Sequence, residues 1–185
     1  MSRPLAVLLA VAGLVLSLLV VAPANAAVPS ESRWRYDIRQ AMSGSRIYVA
    51  ARVDGTPRLA VNLDIDNTSL ATYYDKGEAV WVVHRFAAFA AERGVVTLFN
   101  TGRLSGAGRL ARVADQLRAA GYTVTAICGR ATRDEGLAHS KQRCRAWFVR
   151  RGYTLIANVG NRSTDFTGGN YERAFRLPSY GNQLG

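Results

Sequence analysis

The chain has 185 residues and a formal net charge of +11, from 24 lysines and arginines against 13 acids; that is long enough for one sizeable core and short for two. Such a surplus attracts anions, whether phosphate esters, nucleic acid or acidic polymers. The cations are mostly arginines spread along the chain, with no basic tail or basic–aromatic repeat, which argues against nucleic acid as a partner, and two cysteines with two distant histidines are too few for a Cys/His metal cage.

Residues 1–4 form a short cationic head, 5–21 an unbroken apolar run, and Ala24-Asn25-Ala26 a small-x-small exit. This layout predicts a secretory signal peptide cut after Ala26, giving a secreted, extracellular chain with no stable membrane anchor. A retained anchor is the alternative; no basic cluster follows the run to support it. Loss of the leader removes Arg3 alone among charged residues and leaves +10. In an oxidising compartment the even pair Cys128 and Cys144 suggests one disulfide, with two buried free thiols as the other reading.

The remaining elements follow in order. Residues 30–42 read as a short amphipathic helix carrying Trp34, Tyr36 and Ile38, and 43–58 as a connecting loop with a short strand at 47–51. Apolar runs at 59–63, 95–99, 123–127 and 154–159 read as strands. Helical patterns at 78–92, 106–120 and 139–151 lie between them, followed by Gly94, Gly121 and Gly152 as terminators. A last short strand at 175–177 precedes Pro178. Strand–helix alternation with strands apolar on both sides predicts an α/β fold: a parallel sheet with helices on both faces. The expected organisation is a leader (1–26), an N-terminal helix and connecting segment (27–58) and one domain (59–185).

In an open parallel sheet, ligands bind beyond the carboxyl ends of the strands. The first strand ends in Asp64 and Asp66, one residue apart and therefore on the same side. The second runs into Asn100-Thr101-Gly102-Arg103, the helix after the third begins with Ser140-Lys141, and the fourth ends in Asn158-Val159-Gly160-Asn161 before Asp165. Paired carboxylates with an Asn/Asp loop are hard oxygen ligands suited to Mg²⁺. A lysine and a threonine beside them suit a phosphoryl group. One carboxylate could attack phosphorus while its neighbour moves protons.

Leu63-Asp64-Ile65-Asp66-Asn67-Thr68 resembles the first motif, D-x-D-x-T, of the haloacid dehalogenase (HAD) superfamily. Phe99-Asn100-Thr101-Gly102-Arg103 resembles the second motif, His139-Ser140-Lys141 the lysine-bearing third, and the stretch from Asn158 to Phe166 the fourth, G-D-x-x-x-D. Their order and the leader look most like the exported bacterial acid phosphatases of class B and class C type. The resemblance implies an HAD-like (Rossmannoid) fold with Asp64 as nucleophile and Asp66 as general acid/base. It also implies Thr101, Gly102 and Lys141 at the phosphoryl group, and Mg²⁺ held by Asp64, Asp66, Asn161 and Asp165. Asn161 stands where the family commonly has Asp, which removes one negative charge from the metal shell.

The insert at 69–94 is too short for a separate lid, so a minimal cap and an open cleft are expected, suited to a range of phosphomonoesters including nucleotides. The expected activity is a secreted Mg²⁺-dependent acid phosphatase working through an aspartyl-phosphate. Phosphotransfer to another alcohol is an enzymatic variant, and a non-catalytic anion-binding or storage protein on the same fold is the alternative. His84, Trp147 and Phe148 read as structural, and Arg143, Arg145, Arg150 and Arg151 as solvated cations. Arg103 is open between substrate contact and plain surface charge.

Overall fold

The structure, a computed structural model, describes residues 28–184; the expected signal peptide lies outside them. Strands β1 (Leu59–Leu63), β2 (Val96–Leu104), β3 (Ala126–Arg130), β4 (Thr154–Gly160) and β5 (Arg173–Arg176) form one parallel sheet in the order β3-β2-β1-β4-β5. Helices α1 (Glu31–Ala41), α2 (Ser45–Arg52), α3 (Trp81–Ala91), α4 (Arg109–Ala119) and α5 (Leu137–Arg150) cover it. The fold is the α/β one that the alternation predicts, a parallel sheet with helices on both faces.

The connections determine which face each helix covers. From β1 the chain steps outward through α3 to β2 and through α4 to β3, then returns through α5 past two strands to β4. Right-handed crossovers travelling in opposite directions deposit their helices on opposite faces. Accordingly Val61 and Leu63 of β1, Phe99, Val159 and Phe175 pack with Trp34, Ile38, Val49, Phe86 and Leu117 in one core under α1–α4. Ala60, Leu98 and Leu155 meet Cys144 and Phe148 of α5 in a second, smaller one. The alternation of Ala60 with Val61 and of Leu98 with Phe99 is the period of two that a strand buried on both faces requires. Cys128 of β3 and Cys144 of α5 are bridged by a disulfide, Cα–Cα 5.5 Å, which ties this helix to the sheet. Closing a loop of this size stabilises by about 3 kcal/mol.

Ser30 caps α1, its hydroxyl accepting from Arg33 N at 3.4 Å, and Trp34 and Ile38 lie on the helix's buried stripe. Of the aromatic-basic stretch, Trp34 enters the core while Tyr36 stays half-exposed. Gly94, Gly121 and Gly152 follow α3, α4 and α5 with φ of +73°, +90° and +83°, the left-handed conformation that ends a helix at little cost to glycine.

Several boundaries differ from the expectations, three of them with consequences for packing or the site. The stretch read as a loop with a strand at 47–51 is the helix α2. Ile47, Tyr48 and Val49 favour strands locally, but only a helix buries Ser45 and Val49, one turn apart, against the core while Ile47 faces water. β3 begins three residues later than the 123–127 run because Tyr122 turns into the core and Ala126, not Thr123, pairs with Leu98. β2 continues to Leu104, so Thr101-Gly102-Arg103 lies within the strand rather than beyond its end. Trp147 is only half-buried at the margin of the smaller core, where Arg151 lies 4.1 Å from its ring centre.

Candidate active site

β1 sits in the middle of the sheet, with Leu63 paired to Phe99 on β2 and to Val159 on β4. The residues immediately beyond these pairs therefore emerge side by side at the carboxyl edge. The chain leaves β1 toward β2 and leaves β4 toward β5, so the crevice between β1 and β4 is the point where the sheet's winding reverses. Asp64 emerges there. Its N–H donates to Val159 O at 2.9 Å and its carbonyl accepts from Ser69 Oγ at 2.6 Å, which fixes its backbone.

Lys141, on the first turns of α5, reaches the same crevice and is 4% exposed. Its ammonium donates to Asp64 Oδ1, donates to Asn100 O at 2.7 Å and stands 2.7 Å from Asp165 Oδ1. Asn100 returns a bond to Lys141 O at 2.8 Å, a reciprocal clamp between β2 and α5. Two buried carboxylates facing one ammonium leave a net charge of about −1, and the cluster responds accordingly. Burial, and then the neighbouring Asp165, pushes the Asp64 carboxyl up to about 7 against the pull of Lys141. Burial alone would lower Lys141, but the two carboxylates outweigh it and hold the ammonium above its ordinary value.

Asp165 sits at the end of a short 3-10 turn (Ser163–Asp165) after β4. Arg162 N donates to its Oδ2 at 2.9 Å, and its carbonyl accepts from Asn158 Nδ2 at 2.9 Å and from Arg145 Nη1 at 2.6 Å. A Cβ at Gly160 would overlap the Asp165 side chain, so glycine is what allows the carboxylate to pack on this backbone. Asp66 is held differently. Arg103 grips its carboxylate with two parallel bonds, Nε to Oδ2 at 3.0 Å and Nη2 to Oδ1 at 2.6 Å, and donates a third to Gln116 Oε1 at 2.9 Å. The hydrogen bond to Asp66, then burial working against it, leaves the Arg103 guanidinium raised.

Asp64, Asp66, Gly102, Lys141 and Asp165 share the wall of one cavity of about 340 Å³. Thr101 and Asn161 are buried but do not line it. The Thr101 hydroxyl accepts from Arg103 N at 3.1 Å, so it fixes the backbone that presents Gly102 and Arg103. The amide oxygen of Asn161 is buried without a hydrogen-bond partner. Among the described residues no three His, Cys, Asp or Glu side chains cluster as a metal site. The oxygens that converge are two carboxylates, with an unpartnered amide oxygen buried close by in sequence to Asp165. These are hard donors in a site short of positive charge, and they fit a small divalent cation.

A family model described as HAD superfamily, subfamily IIIB (Acid phosphatase), matches residues 74–183. The chain belongs to that family. It is an acid phosphatase by class, a phosphoric monoester hydrolase. Its fold is similar to that of the class C acid phosphatase from Bacillus anthracis, with a TM-score of 0.64 and 16% identity over 80% of this chain and 79% of that one. No curated protein matches the chain. The family match begins after Asp64 and Asp66; the register of β1 with β2 and β4 puts these two acids at the carboxyl edge of the sheet.

The phosphatase site also contains residues that the sequence patterns left as surface charge or without a role. Arg145 is fully buried rather than solvated. Besides Asp165 O it donates to Thr167 O and to Gly169 O at 2.9 Å, stitching the loop that carries Asp165 onto α5. Its spacing of four from Lys141 puts both on one helix face, a signal that was available. Asn62, Asn100 and Asn158 form a polar layer beneath the carboxylates, with Asn62 Nδ2 donating to Asn158 Oδ1. A polar residue near the end of each of three apolar strands was equally visible. Asn67 and Leu184 were not foreseeable: Asn67, at φ 53°, donates from Nδ2 to Leu184 O at 2.6 Å, closing one wall with the end of the chain.

Proposed function

We propose that this acid phosphatase is secreted, Mg²⁺-dependent and acts through an aspartyl-phosphate on Asp64. The single observation that carries the reading is the Asp64 carboxylate, buried at the sheet's carboxyl edge, bonded to Lys141 and open to a cavity shared with Asp66 and Asp165. Asp64, Asp165 and Asn161, with the Asp66 backbone carbonyl, would hold Mg²⁺. When bound, the ion would offset the repulsion between the nucleophile and an incoming phosphate dianion.

Asp64 attacks phosphorus, forming a P–O bond as the ester oxygen leaves. Asp66, oriented by the bidentate grip of Arg103, gives that oxygen a proton and afterwards takes one from the water that opens the acyl phosphate. Lys141 balances charge on the nucleophile and on the transferring group. Thr101 holds the β2 backbone at Gly102 against the phosphoryl oxygens. The open cavity leaves the ester's alcohol little constrained, so varied phosphomonoesters, nucleotides among them, serve as substrates. The Cys128–Cys144 disulfide supports an oxidising destination, as does the leader expected at 1–26. Among the described residues no helix is long and apolar enough to cross a membrane. Residues 59–185 are proposed as the phosphatase domain and 27–58 as the segment before it, whose helices α1 and α2 pack onto the core. Phosphate release from a chromogenic monoester, with and without Mg²⁺, tests the reading: Asp64→Asn is expected to lower kcat by about 10⁴-fold or more, and activity retained in that variant would refute it.

A further inference from the structure

Among the described residues, α1, α2 and α3 leave one face without a partner. Ile47 on α2 is 77% exposed and Trp81 at the start of α3 is 59% exposed, and both line a cavity of about 340 Å³ between the helices. Large apolar side chains this open to water are uncommon in pairs unless something covers them. Arg39, Arg46 and Arg85 line the same cavity and no acid does. None of the three pairs with a carboxylate among the described residues. Instead Arg85 stacks on Trp81, 5.1 Å from the ring centre, and Arg39 lies 5.8 Å from the ring of Tyr36, itself 47% exposed. The face thus alternates exposed apolar groups with free guanidinium groups, and it shares no residue with the wall of the catalytic cavity.

We propose that this face docks on an anionic phospholipid surface. The charge is complementary to lipid headgroups, each arginine near such a surface adding to the attraction. Tryptophan settles at the boundary between headgroups and chains, and arginine stems lie along apolar surface while their heads stay wet. Ile47 discriminates between occupants: an isoleucine aimed outward gains from hydrocarbon and nothing from a soluble polyanion. The reading stands apart from the catalytic one, because docking needs no turnover.

The test uses the chain from Ala27 onward, which contains every described element and excludes the apolar run at 5–21. Flotation with vesicles of phosphatidylglycerol and phosphatidylcholine should recover the protein, and phosphatidylcholine alone should not. Trp34 is buried and Trp147 half-buried, so a blue shift of tryptophan emission on binding reports Trp81. Replacing Arg39, Arg46 or Arg85 by Gln should weaken binding about fivefold each. Ile47→Ser with Trp81→Ala should lower it about tenfold or more at unchanged charge. Arg109→Gln with Arg112→Gln, on the exposed side of α4, should leave it near wild type. Equal loss in that control, or wild-type binding by the Ile47/Trp81 variant, would overturn the proposal. So would binding to soluble polyphosphate as tight as to vesicles without a blue shift, or self-association that buries Trp81. Unchanged melting temperatures establish that the variants are folded.

Discussion

Lys141 neutralises two carboxylates that would otherwise share a dry crevice, and replacing it with Met removes that charge while keeping the stem's volume. Lys141, Asp64 and Asp165 are each no more than 7% exposed, so water cannot take over the role. Deleting one member of a buried ion pair typically costs about 3–5 kcal/mol, against about 0–1 for a surface pair. The pH dependence is the sharper test. Asp64 lies near 7 instead of 3.8 because it is buried, so the folded protein keeps a proton that the unfolded chain releases. That contribution is complete below about pH 4 and is lost as pH rises toward about 7. Lys141 is the group limiting the upward shift, and without it Asp64 climbs further. Urea unfolding in chelator should therefore show Lys141→Met close to wild type near pH 4, with the deficit growing to about 3–5 kcal/mol by pH 7. A deficit below about 1 kcal/mol, or one that is flat with pH, would refute the reasoning.

Arg145→Met should destabilise by about 2 kcal/mol, since Thr167 and Gly169 are exposed enough for water to replace two of the lost bonds; its larger effect should be weaker Mg²⁺ stabilisation in thermal melts, and unchanged Mg²⁺ response would contradict the positioning role. Asn161→Asp should tighten Mg²⁺ binding measured by calorimetry, by about tenfold, and unaltered affinity would place Asn161 outside the metal shell. Glu135, bonded first of all by Arg143, is held down to about 2 from 4.5. A depressed carboxylate contributes stability above its unfolded value that is lost as pH falls through the folded one, so Glu135→Gln should flatten the acid limb of the stability curve between about pH 4.5 and 2; an unchanged limb would refute it.

The sheet was legible because its strands are apolar on both sides and three of them begin after glycines that stop the preceding helices. The site was legible for a topological reason: parallel strands and the helices that follow them meet at one edge of the sheet, which brings Asp64, Gly102, Lys141 and Asp165 to one cavity wall. What escaped depends on partners distant in sequence. α2 looks like a strand until Val49 and Ser45 are seen to need one buried side. Arg145 looks like surface charge until three carbonyls from the 165–169 loop accept its bonds. The grip of Arg103 on Asp66 and the closure of the cavity by Leu184 involve pairs 37 and 117 residues apart. No local pattern encodes those.

The central claim is that the Asp64 carboxylate becomes covalently bonded to phosphorus. Acid-quenched single turnover with a phosphomonoester, followed by peptide mass spectrometry, tests it most directly. The account predicts a phosphoryl group on the peptide containing Asp64, absent in Asp64→Asn. Phosphate released at the wild-type rate with that peptide unmodified throughout, or with the label on another side chain, would contradict it.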